Sequence, residues 1–114
     1  YRRRFLEDPG HLPEARQEML DRASADEFFG SCDGIEGVNG RGKDVQNLFS
    51  QDLAERLGIK MTGGSDAHRV EQIGTAATAF ERKITGLDDL IQEIKAGRFR
   101  AETLINSQET SRTA

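Results

Sequence analysis

The chain has no tryptophan, one tyrosine and one cysteine among its 114 residues. It also has no apolar run near the roughly 20 residues that a membrane span needs. A lone thiol, Cys32, cannot close an internal disulfide, so a disulfide-stapled fold is excluded and a reducing cytoplasm is the expected compartment. Nothing in the sequence has the apolar core of a secretory signal. The chain opens on Tyr1 rather than Met, and it reads as a piece of a longer protein. Positive charge is scarce too: 16 Lys and Arg stand against 20 Asp and Glu, for a net charge of −4. That balance argues against general affinity for nucleic acid, which needs a basic face. The one basic cluster, Arg2-Arg3-Arg4, is too short to reverse it.

What the chain does have is glycine, 12 residues of it, with 35% hydrophobic and 32% charged residues. This is the profile of a single α/β domain with short connections, long enough to bury a core. Asp8-Pro9-Gly10 signals a turn, and His11 after it has no ligand-type neighbour, so it reads as a surface histidine. Pro13 suits the first turn of a helix to about Ala23, with Leu12, Ala15, Met19, Leu20 and Ala23 on one face. Phe28 and Phe29 follow in a short helix or turn and are expected to plug the core, with Cys32 as a small buried hydrophobe. Residues 34–39 read as a strand. Glu36 within it needs a partner, either as a ligand or supporting group inside the fold or, the favoured reading, in a pair with an arginine.

Residues 44–57 form the clearest helix, with an apolar stripe of Val45, Leu48, Phe49, Leu53 and Leu57 and a stop at Gly58. A strand over 59–63 follows, then a loop, then a strand over 75–80. Thr85 and Asp88 resemble a capping box opening a helix over 87–96, with Leu87, Leu90, Ile91 and Ile94 inward and Gly97 as its end. Phe99, Ala101, Thr103 and Ile105 alternate as a last strand, and residues 107–114 are expected to be a disordered polar tail. Helices alternating with strands suit the closing part of a (β/α) barrel with parallel strands, or an open α/β sheet. Strand edges left open in a partial barrel would favour self-association.

The chemistry concentrates in Met61-Thr62-Gly63-Gly64-Ser65-Asp66-Ala67-His68. Two glycines allow a sharp turn or a close backbone approach. Directly after them stand a carboxylate and an imidazole two residues apart, a pairing that suits Zn²⁺, Mn²⁺ or iron. An Asp-x-His pair taken alone is also common in surface loops and helix caps. Arg41, flanked by Gly40 and Gly42 at the end of the 34–39 strand, is either a phosphate-binding group or part of an ordinary turn. Arg69 either helps to hold a phosphate or, the favoured reading, is solvated.

The string Gly64-Ser65-Asp66-Ala67-His68, preceded by Gly34-Ile35-Glu36 and Asn39-Gly40-Arg41, resembles the last third of the PHP (polymerase and histidinol phosphatase) domain. The resemblance runs over about residues 1–105. It implies the C-terminal part of a distorted (β/α)7 barrel, with 1–106 as that domain portion, in a metal-dependent phosphoesterase. In that family the Asp and His of the motif bind metal, so the resemblance implies Asp66 and His68 as catalytic metal ligands. It also implies two or three divalent ions (Mn, Zn or Fe) in an intact domain, and Arg2 and Arg41 as phosphate clamps. The partner would be a small phosphorylated substrate or a nucleotide, with the N-terminal remainder of the PHP domain supplying further ligands and no membrane involved. The family's opening His-x-His, and the His-Pro that precedes an aromatic-Arg pair like Tyr1-Arg2, are absent from this sequence. The isolated chain is therefore expected to be inactive. The rival reading is a non-catalytic regulatory or degenerate PHP-like domain.

Overall fold

The computed structural model describes residues 12–104. Tyr1, Arg2, the other N-terminal arginines, His11 and the 107–114 tail lie outside the described residues. The order is α1 (Leu12–Ala25), α2 (Glu27–Gly30), β1 (Ile35–Asn39), α3 (Asp44–Leu57), β2 (Met61–Gly64), a 3₁₀ turn (Val70–Gln72), β3 (Ala76–Phe80), α4 (Leu87–Ala96) and β4 (Phe99–Thr103).

Helix α1 buries the face its spacing predicts: Met19, Leu20 and Ala23 are all buried. Leu20 and Ala23 meet Leu53 of α3, and Phe29, Ile35, Phe49 and Leu57 pack around them. Ion pairs lace the outside of this helix pair, Arg16 with Asp52 and Arg56 with Asp21. Of the two aromatics expected in the core, only Phe29 reaches it. Phe28 is 67% exposed, because a helix of four residues can turn only one of two adjacent rings inward. Cys32 is half-buried rather than buried, with its thiol 3.4 Å from the Phe28 carbonyl oxygen.

Strands β1 and β2 pair in parallel, from Ile35↔Met61 to Asn39↔Gly64, with an irregularity between Glu36 and Val38. Helix α3 connects them and ends at Gly58, whose φ of 67° is the left-handed cap that a side chain resists. The outer edge of β1 is not open where α3 crosses it. The Asn47 amide accepts from Asn39 N (3.0 Å) and donates to Asn39 O (3.1 Å), and Gln51 donates to Gly37 O (3.0 Å). Two side chains one helical turn apart thus serve backbone groups that a neighbouring strand would otherwise satisfy.

Strands β3 and β4 pair antiparallel, Ala76↔Thr103 through Phe80↔Phe99, which departs from the parallel alternation expected. The described residues form two two-stranded sheets, one parallel and one antiparallel, and no closed barrel. Alternation of side chains identifies a strand but says nothing of its direction. A helix between two strands does not require them to run parallel when the chain re-enters at the end it left. Here Glu81 N bonds Arg98 O (3.1 Å) just beyond the Phe80–Phe99 pair, so α4 and its loops form one excursion from a shared end.

The inward face of α4 also differs from the one its apolar residues suggest. Leu87 is 69% and Ile91 43% exposed, and the buried residue is Glu93. Its carboxylate takes a two-pronged contact from Arg98, Nε to Oε2 at 2.6 Å and Nη2 to Oε1 at 2.9 Å. That pair fixes the helix rotation, so the face centres on Leu90, Glu93 and Ile94, and Leu87 and Ile91 fall on its flank. Leu48 of α3 likewise lies outside the packed stripe, 53% exposed. The helix start is shifted too. Gly86 is the N-cap, and Asp89, not Asp88, reaches back to the Thr85 amide (3.1 Å) and hydroxyl.

The Arg98 guanidinium holds the Glu93 carboxyl below the usual glutamate range, against burial that pushes it up. A depressed folded-state value means the pair stabilises the fold above the ordinary carboxylate range, and that this is lost as pH falls through the lowered value. Glu93→Gln should therefore be less stable than the unmodified chain near neutrality, and the gap should narrow as pH drops through the acidic range. Urea unfolding followed by circular dichroism at a series of pH values measures it.

Candidate functional site

The C-terminal ends of β1 and β2 lie side by side, and the parallel ladder continues past β1 through Gly40 N to Gly64 O at 2.9 Å. The two loops that leave these ends, 40–43 and 65–69, are thereby brought together. The glycines of the motif act through closeness rather than through a turn. Neither Gly63 nor Gly64 has a positive φ. A Cβ on Gly63 would run into the Ala77 carbonyl oxygen and crowd the Ala101 side chain. The Thr78 hydroxyl then clamps the same residue, accepting from Gly63 N (2.9 Å) and donating to Gly63 O (2.7 Å). Strand β2 is thus held against the β3–β4 pair by a side chain instead of a ladder.

The sharp turn falls on Asp66, with φ of 52°, the only non-glycine with positive φ among the described residues. Asp and Asn tolerate that region better than most residues. The loop is closed by local bonds. Ala67 N donates to Ser65 Oγ (3.3 Å), and Gln72 Oε1 accepts from both His68 N (2.8 Å) and Arg69 N (3.1 Å). Asp66 and His68 consequently sit on one side of the loop, with Oδ1 and Nδ1 3.9 Å apart, their side chains 48% and 60% exposed. Arg69 is exposed, and its backbone caps the 3₁₀ turn.

Arg41 meets them from the β1 loop. Its amide donates to Asn39 Oδ1 (2.9 Å), fixing the turn, and its Nη1 lies 2.7 Å from His68 Nδ1 and 3.1 Å from Nε2. The Nδ1 atom is also 2.7 Å from the Asp66 carbonyl oxygen. A ring nitrogen cannot donate to that carbonyl and accept from Arg41 at once. One atom this near both ring nitrogens lies off the in-plane lone pair of each, so the proton is assigned to Nδ1 from its bond to Asp66 O, and the Nε2 lone pair is not taken up by Arg41.

Glu36 is exposed and pairs with no described arginine. Instead Asn39 Nδ2 donates to Glu36 Oε2 (3.2 Å) and Asp66 Oδ2 (3.4 Å), so one amide links a β1 carboxylate to the motif aspartate. Glu36, Asn39, Arg41 and Asp66 rim a cleft of about 510 Å³ whose floor is apolar, formed by Met19, Ile35, Phe49 and Leu53 among others. Two carboxylates and one guanidinium leave the rim with a negative balance suited to a cation.

The donor chemistry of Asp66 and His68 fits a first-row divalent ion. The described residues offer no group of three His, Cys, Asp or Glu side chains able to hold one, so what they supply is part of a coordination shell. Sequence reasoning missed Asn39, Gln72 and Thr78, the residues that hold the loops in place. Amides and hydroxyls carry no pattern of their own, and only the fold brings Asn39 to Asp66 or Thr78 to Gly63.

The hydrogen bonding has a spectroscopic consequence. In its neutral form the His68 ring should populate the Nδ1-protonated tautomer. Long-range ¹H–¹⁵N spectra should show Nε2 as the unprotonated nitrogen. An Nε2-protonated ring would mean that the bond to Asp66 O does not form.

Residues 45–99 match the family model described as PHP-associated. The match takes in α3, β2, the Asp66–His68 loop, β3 and α4 and ends at the first residue of β4. It leaves out β1 and the Asn39–Arg41 loop, and so is narrower than the resemblance drawn from the sequence. No curated protein and no solved structure matches the chain. Over residues 45–99 the chain is therefore similar to the PHP-associated family, as the C-terminal portion of a PHP domain would be.

Proposed function

We propose that this chain is the C-terminal portion of a metal-dependent phosphoesterase and contributes Asp66 and His68 to its metal site. The observation that carries the reading is the placement of Asp66 and His68 on one side of a single loop at the C-terminal ends of two parallel strands, with Asp66 on the rim of a cleft. Open α/β sheets hold their ligands at that end. The PHP-associated match over the same loop supports it.

In this reading the Asp66 carboxylate and the His68 Nε2 lone pair are the ligating atoms. A divalent ion held there would supply a hydroxide nucleophile and charge for the phosphate oxygens, lowering the pKa of bound water from ~15.7 to about 7. The residues of this chain position and complement that chemistry. The His68 Nδ1–Asp66 O bond orients the ring, a common outer-shell arrangement for ligating histidines. Arg41 offers a planar fork that matches phosphate oxygens. Arg2, outside the described residues, keeps the phosphate role that the family resemblance implies. Further ligands would come from the remainder of the PHP domain, and the substrate would be a small phosphorylated metabolite or a nucleotide.

A second reading is a non-catalytic PHP-like domain. It is favoured by the bonds that give both motif side chains a purely local use, Asp66 with Asn39 and His68 with its own loop.

Substitutions in the intact parent protein separate the two. Alanine at position 66 would strain a left-handed backbone by about 1 kcal/mol, so Asp66→Asn, which tolerates that conformation, is the cleaner variant. Asp66→Asn should abolish Mn²⁺- or Zn²⁺-dependent hydrolysis of a chromogenic phosphoester with circular dichroism unchanged. His68→Ala should lower turnover and metal content in parallel. Full activity in Asp66→Asn, or a parent that hydrolyses no phosphoester with Mn²⁺, Zn²⁺ or iron, would favour the non-catalytic domain.

A further inference from the structure

We infer that Gln72 is a positioning residue for His68: its amide oxygen holds the backbone from which the imidazole closes onto Asp66 O, and so keeps Nε2 as the open ring nitrogen. This role rests on the metal reading of Asp66 and His68 and adds to it a residue that no ligand pattern would single out. The Gln72 side chain begins as an ordinary cap. Gln72 is the last residue of the 3₁₀ turn, and its Oε1 reaches back to the N–H of the capping residue, Arg69, at 3.1 Å. The shorter bond, 2.8 Å, goes one residue further back to His68 N, which the cap does not need. Both partners are N–H groups, so the oxygen is the atom that faces them. Two successive amides aimed at one oxygen leave little rotation about the His68 φ and ψ that lie between them.

Packing does little for this residue, whose side chain is 60% exposed. The contact from Nδ1 to Asp66 O at 2.7 Å closes a short ring of chain through Ala67, and a held His68 backbone lowers the entropy cost of that closure. Gln72 is itself fixed to the β3–β4 pair. Its carbonyl oxygen accepts from Thr75 N (3.3 Å) and Thr75 Oγ1 (3.0 Å). Thr75 O in turn accepts from Leu104 N (3.1 Å), which extends the antiparallel ladder one pair beyond Ala76↔Thr103. One residue thus joins the sheet, through its main chain, to the motif loop, through its side chain. A bond from the second ring nitrogen to a carbonyl is the contact that fixes the tautomer of a ligating histidine, and Gln72 stands one step behind it.

Imidazole and backbone ¹H–¹⁵N spectra of the 114-residue chain and of Gln72→Leu and Gln72→Glu test the inference. Leucine removes the acceptor, and glutamate keeps an oxygen at the same reach. In the unmodified chain the His68 and Arg69 amide protons should exchange with solvent about tenfold more slowly than in an unstructured chain. Losing a bond of ordinary net strength behind the ring should shift the tautomer ratio of neutral His68 in Gln72→Leu about threefold to tenfold toward the Nε2-protonated form. Gln72→Glu should restore the ratio. A merely structural role would lower stability without moving the ratio in the folded chain. An unchanged ratio in folded Gln72→Leu, a shifted ratio that Gln72→Glu fails to restore, or unprotected His68 and Arg69 amides in the unmodified chain overturns the inference and leaves the metal reading standing. The last of these needs no variant to fold. If the ratio follows residue 72 but millimolar zinc moves the His68 signals in none of these proteins, the metal reading falls, and the part of Gln72 in it falls too.

Discussion

The contact between Gly63 and Thr78 is the constraint on which the site depends. Strand β2 has a ladder partner on one side only, in β1, and on the other its backbone meets a hydroxyl that both accepts and donates. The arrangement works only because residue 63 has no side chain, since any Cβ would collide with the Ala77 carbonyl oxygen. With β2 seated in this way, the chain emerges from Gly64 beside the end of β1, turns through the left-handed Asp66, and lays His68 against Arg41. A larger residue at position 63 would push β2 off β3 and separate the loops, costing about 1–3 kcal/mol as overpacking commonly does. The functional loop thus depends on packing well below the cleft rim.

Much of this was legible in the sequence, for identifiable reasons. Helices α1 and α3 announce themselves by apolar spacing with a proline at one start and a glycine at one end, and their buried residues Met19, Leu20, Ala23 and Leu53 follow from that period. The Gly-Ser-Asp-x-His string was readable because its glycines and ligand-type residues are unusual together, and the PHP-associated match covers that stretch. Strand direction was not readable. The β3 and β4 patterns are the same whether the strands run parallel or antiparallel, and the Phe80–Phe99 pairing that sets the direction joins residues 19 positions apart. The rotation of α4 was hidden for a related reason. Reading apolar residues as inward overlooks a buried carboxylate, and Glu93 is buried because Arg98, past the helix end, satisfies it.

The positions of the motif residues were approachable from sequence; the meaning of Arg41 was not. A glycine-flanked arginine reads equally as a phosphate clamp or a turn residue, and in the fold it is first of all a neighbour of His68. The rim combines an acidic pair tied by Asn39 with the Arg41 guanidinium above apolar side chains, and the His68 imidazole stands beside Arg41. The backbone beneath this set is held without it, by the turn at Asn39 and the loop closed by Gln72. The outer edge of β1 is already capped by Asn47 and Gln51, which leaves less open backbone for self-association there than a cut barrel would have.

The claim that Asp66 and His68 ligate one divalent ion can be tested most directly by anomalous diffraction at the zinc edge from crystals of the chain soaked in zinc. The account requires an anomalous peak about 2.0–2.2 Å from both His68 Nε2 and an Asp66 carboxylate oxygen. Zinc bound only at other positions would contradict it.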